Sequence, residues 1–71
     1  MSDFIEFNKS FGERLLVLIR KRKTTNKEVA KAIGVSAPTV SKWIKTGNIT
    51  DANLFDLASH LDVSWLWLRY G

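Results

Sequence analysis

Apolar residues recur along this chain at the three- and four-residue spacing of helix faces, and no stretch sustains the alternation of a strand. Phe11, Leu15, Leu18 and Ile19 form one stripe, preceded by Ser10 with Glu13 three residues on, the pattern of a capping box. That predicts a first helix ending near Arg22. Val29, Ala30 and Ile33 mark a second helix capped by Thr25. Val40, Trp43 and Ile44 mark a third, capped by Ser36 and running to about Thr46. After a turn at Gly47 and Asn48, a fourth helix starts at Thr50 or Asp51 and turns Leu54, Leu57, Ala58 and Leu61 inward. Ser64 caps a short fifth helix reaching Arg69. The expected fold is all-α, a compact five-helix domain spanning residues 1–71 with no linker, repeat or low-complexity segment. Residues 1–9 read as an amino-terminal arm or helical extension, and Phe4, Ile5 and Phe7 favour packing on the domain.

The second and third helices meet at a corner. Gly34 follows the last periodic residue of the second helix, where a left-handed backbone is needed and glycine takes it without steric cost. Ala30 is small where two helix axes come close, and Pro38 falls in the first turn of the third helix, where its missing N–H costs nothing.

At 71 residues the chain can bury a small core, roughly 60% of its unfolded surface, but not a deep substrate cleft. It has no cysteine, so disulfides and thiolate metal sites are excluded and stability rests on packing. The longest apolar run, Leu15 to Ile19, is far short of a membrane span, and Asp3 and Glu6 stand where a signal peptide carries positive charge. The expectation is a soluble cytoplasmic protein with no cofactor, no metal, no membrane partner and no small-molecule substrate.

Charge is distributed unevenly. From Arg20 to Lys45 there are eight basic residues (Arg20, Lys21, Arg22, Lys23, Lys27, Lys31, Lys42, Lys45) and one acid, Glu28, a net +7, while the remainder carries three basic residues against six acids, a net −3. Cations from Arg20 to Lys23 also suit a helix carboxyl end. The asymmetry as a whole points to a polyanionic partner.

The stretch from Asn26 to Lys45 resembles the helix-turn-helix of phage repressor and Cro proteins, the lambda-repressor-like family, in its small Ala30, its corner Gly34, Val35-Ser36 before the third helix, and the apolar Val40 and Trp43. Trp67 and Leu68 before the terminal Gly71 are similar to the family's last helix. The resemblance covers nearly the whole chain and implies a transcriptional regulator on double-stranded DNA, its third helix read into the major groove. It places Ala37, Pro38, Ser41 and Lys42 at base edges. Ala37 and Pro38 offer only apolar contact, suited to a thymine methyl, whereas Lys42 can donate to guanine. Thr25, Asn26, Lys27, Thr39, Lys45, Thr46 and Asn48 become phosphate and positioning residues, with Asn26 able either to bond a phosphate or to brace the reading helix. A homodimer on a two-fold related operator is implied, with Trp65, Trp67 and Tyr70 at the contact, because three aromatics exceed what one face of so short a helix buries. Trp65 can alternatively cover a neighbouring helix.

Two departures from the family pattern stand out. Lys23 and Thr24 occupy a turn where glycine and an apolar residue are common. Ile19 and Ile44 stand where several relatives hold a buried arginine–glutamate pair, and replacing both charges by apolar groups leaves neither stranded. Ile19 and Ile44 are therefore expected to meet between the first and third helices.

Competing functions remain open at this level. An enzyme would have to work with His60, near Asp56 and Ser64, unaccompanied by any nucleophile elbow, metal spacing or phosphate loop. A protein-interaction module or an antitoxin keeping the fold is the stronger rival. A complete Cro-like protein and the amino-terminal half of a longer repressor also fit equally.

Overall fold

The computed structural model describes residues 10–71, so the expectations for the arm at 1–9 lie outside the described residues. Five helices follow in order: α1 Phe11–Lys21, α2 Asn26–Ile33, α3 Ala37–Thr46, α4 Asp51–Leu61 and α5 Trp65–Tyr70. No strand occurs among the described residues.

Each helix begins on a hydroxyl. Ser10, Thr25, Ser36, Thr50 and Ser64 are extended, and each accepts the N–H three residues on, satisfying one donor that the first helical turn leaves without a partner. Ser10 and Glu13 form the full capping box, and Thr50 settles the start of α4. Gly34 and Gly47 close α2 and α3 with φ of 80° and 72°, the left-handed conformation their lack of a Cβ permits. α5 runs one residue beyond the expected Arg69, to Tyr70.

The predicted stripes converge on one core. Leu15, Val29, Val40, Leu54, Leu57 and Leu68 are fully buried, with Leu18, Ile19, Ala30, Trp43, Ala58 and Leu61 around them. α3 lies against both α2 and α1, α2 also packs on α4, and α5 closes the far side against α4 and α1. Ile19 is buried in this core and Ile44 is half-buried against it, so the α1–α3 junction is apolar.

Two features escape the periodicity. Arg14 lies on the inner side of α1 and is only 6% exposed. Its guanidinium donates through Nε to the Leu68 carbonyl at 3.0 Å and through Nη2 to the Arg69 carbonyl, tying α1 to the end of α5. Burial lowers its pKa from the ordinary arginine value, and it remains a cation throughout the usual pH range. The second feature is the α1–α2 turn, which closes with the Thr24 N–H on the Ile19 carbonyl at 3.1 Å. Lys23 takes φ of 56° there, a left-handed backbone on a residue with a Cβ.

Candidate nucleic-acid interface

α3 is held from behind. Val40 and Trp43 point into the core, which leaves the opposite side to solvent with Pro38, Ser41, Lys42 and Lys45 exposed and Ala37 half-buried. These five residues line one shallow depression on the surface. The four residues expected at base edges are thereby brought together, joined by Lys45.

Asn26, the first residue of α2, reaches across the corner and donates from Nδ2 to Ser41 Oγ at 3.3 Å. This bond ties the first turn of α2 to α3. The cations are all on the surface: Arg20, Lys21, Arg22, Lys23, Lys27, Lys31, Lys42 and Lys45 are exposed. The ion pair seen among the described residues joins Arg69 to Asp51 at 2.9 Å and draws on none of these eight.

The hydroxyls near this surface are engaged with the fold. Thr25 Oγ1 caps α2 and lies 3.4 Å from Glu28 Oε1. Thr39 Oγ1 lies 2.7 Å from Ser36 Oγ. Thr46 Oγ1 donates to the Lys42 carbonyl at 2.8 Å and accepts the Asn48 N–H at 3.2 Å. A phosphate contact from the Thr46 hydroxyl requires the first of those bonds to be released. Lys27 needs no such release, because it is exposed in the first turn of α2, where the helix dipole favours an anion.

On the far side, Trp65, Trp67 and Tyr70 are 40%, 43% and 71% exposed. Trp65 also meets Phe55 of α4 edge to face, with ring centroids 5.1 Å apart, so it covers a neighbouring helix while keeping much of its surface open. His60 is an exposed residue in the last turn of α4. Among the described residues no group of three His, Cys, Asp or Glu gathers as metal ligands would, and no helix is long and apolar enough to cross a membrane.

A family model described as helix-turn-helix matches residues 16–68. The chain belongs to this helix-turn-helix family. The HTH-type transcriptional regulator DicA of Escherichia coli (strain K12) is 34% identical over 65 residues, 90% of this chain and 48% of that protein. The chain thus spans about half the length of the curated relative it matches. Among solved structures, the P22 c2 repressor protein, crystallised in complex with synthetic operator 9T, superposes with a TM-score of 0.84 at 28% identity over 90% of this chain and 98% of that one. The helix-turn-helix of this chain is thus similar in sequence to that of a transcriptional regulator and in fold to that of a repressor.

Proposed function

We propose that this helix-turn-helix domain binds double-stranded DNA and regulates transcription as a repressor-type protein. α3 enters the major groove with Ala37, Pro38, Ser41 and Lys42 toward base edges, while Thr25, Asn26, Lys27, Thr39, Lys45, Thr46 and Asn48 serve as phosphate and positioning residues. The observation that supports it most is the open surface on α3, opposite Val40 and Trp43, where the expected reading residues, Lys42 among them, meet the exposed Lys45. The P22 c2 repressor, seen with an operator, lends the same docking to this chain by analogy.

Two copies bind a two-fold related site, in contact through the exposed aromatics Trp65, Trp67 and Tyr70. Their reading helices then lie about 34 Å apart, one DNA turn.

The test is selection of binding sites from random duplexes, followed by titration under increasing salt. Binding that weakens steeply with salt, at two chains per selected site, is expected. Failure to retain any duplex at low salt overturns the function. One chain per site overturns the dimer alone.

A further inference from the structure

Ser41 stands exposed on α3, on the side opposite Val40 and Trp43. Its hydroxyl oxygen accepts a hydrogen bond from Asn26 Nδ2 at 3.3 Å. Thr46, on the same helix, turns its proton back on the Lys42 carbonyl at 2.8 Å, a bond that helical hydroxyls often make. Ser41 makes no such bond, and among the described residues its proton has no acceptor.

A hydroxyl has one proton and two acceptor sites. With Asn26 on one of those sites, Ser41 meets the groove with its proton and a single remaining lone pair. A base amine set against it would use that lone pair and leave the O–H unpaired inside a closed interface, whereas a base acceptor takes the proton and leaves only a lone pair idle, the lesser loss. The bond from Asn26 therefore biases Ser41 toward an acceptor. Purine N7 is the acceptor that adenine and guanine share in the major groove, and it stands at the outer edge of the base, within reach of a side chain as short as serine. Guanine O6 and thymine O4 lie nearer the middle of the pair. Resting on the DNA-binding function above, we propose that Asn26 is a positioning residue for base selection: by occupying one acceptor site of Ser41 Oγ it commits the Ser41 hydroxyl to donate, so that Ser41 selects a purine through N7.

The Ser41 step is located first, as the position of a selected operator whose base preference Ser41→Ala alone relaxes. The purine at that step is then compared with its 7-deaza analogue, in which a C–H unit replaces N7 and base pairing is kept. The wild-type domain is expected to bind the purine about fivefold more tightly, the factor that one neutral hydrogen bond supplies, and Ser41→Ala to show a ratio near one. In Asn26→Asp the carboxylate can only accept, so it takes the Ser41 proton and leaves lone pairs toward the groove. The ratio is expected to fall toward one there as well, although Ser41 is intact. The added negative charge weakens both duplexes alike and cancels in the ratio, and an acid suits the first turn of α2, so thermal melting of this variant is expected to match the wild type.

A wild-type ratio of one, or an operator with no step relaxed by Ser41→Ala, overturns the proposal. A ratio undiminished in Asn26→Asp overturns it as well, because the bond then holds α3 without directing the hydroxyl. If duplex is bound and any of these is seen, this proposal falls while DNA binding stands; if no duplex is retained at low salt, both fall.

Discussion

Gly12 of α1 presses directly on the backbone of Ile44 in α3, so closely that a Cβ on Gly12 would overlap the Ile44 carbonyl oxygen. The two helices cross where one of them presents no side chain. Because α3 carries the reading residues, this crossing fixes how far they stand out from the core. Backbone cannot rotate away as the end of a flexible side chain can. Gly12→Ala is therefore expected to destabilise the domain by about 2–3 kcal/mol. Urea denaturation checks it, and an unchanged midpoint would show that α1 can shift without cost.

Arg14 is expected to be the side chain that fastens α5. It makes charge-assisted bonds to the carbonyls of Leu68 and Arg69, at the carboxyl end of a helix six residues long. Arg14→Met keeps much of the volume and removes those bonds, at an expected cost of about 2–3 kcal/mol. Arg14→Lys is expected to recover only part of that loss, because an ammonium lacks the planar fork that reaches two carbonyls. Thermal melting followed by tryptophan fluorescence reads both variants, and full recovery by lysine would reduce the role of Arg14 to its charge.

At the turn between α1 and α2, Lys23 with φ of 56° holds a backbone that glycine adopts more easily. Lys23→Gly is expected to raise stability by about 1 kcal/mol relative to Lys23→Ala. Both variants lose the same charge, so the difference isolates the Cβ. Equal melting temperatures would mean that the left-handed turn carries no strain.

Lys42 and Lys45 both line the exposed depression on α3, yet they are expected to fail differently when removed. Lys45→Ala should weaken binding to all duplexes alike and lower the salt slope by about one ion. Lys42→Ala should cost about 1–3 kcal/mol chiefly on the preferred site, through loss of a guanine contact. Paired titrations of the two variants on selected and random duplexes separate the roles. Equal losses for Lys42→Ala on both would make it a phosphate anchor.

Local signals carried most of the architecture. A hydroxyl before each apolar stripe and a glycine after α2 and α3 act within one helical turn, so Ser10, Thr25, Ser36, Gly34 and Gly47 announce helix ends without reference to the rest of the chain. The inward stripes and the clustering of cations between Arg20 and Lys45 are likewise properties of spacing along the chain. Contacts between residues far apart in sequence were decided only by tertiary structure. Gly12 looks like any helical glycine until α3 is laid across it, and Arg14 reads as one more surface cation until α5 brings its carbonyls within reach. Asn26 has two possible partners by type, and the angle between α2 and α3 puts Ser41 Oγ at hydrogen-bonding distance. Periodicity tells which face of a helix turns inward, but not how closely two backbones approach or where one helix ends against another, because those distances depend on the packing of every side chain between them.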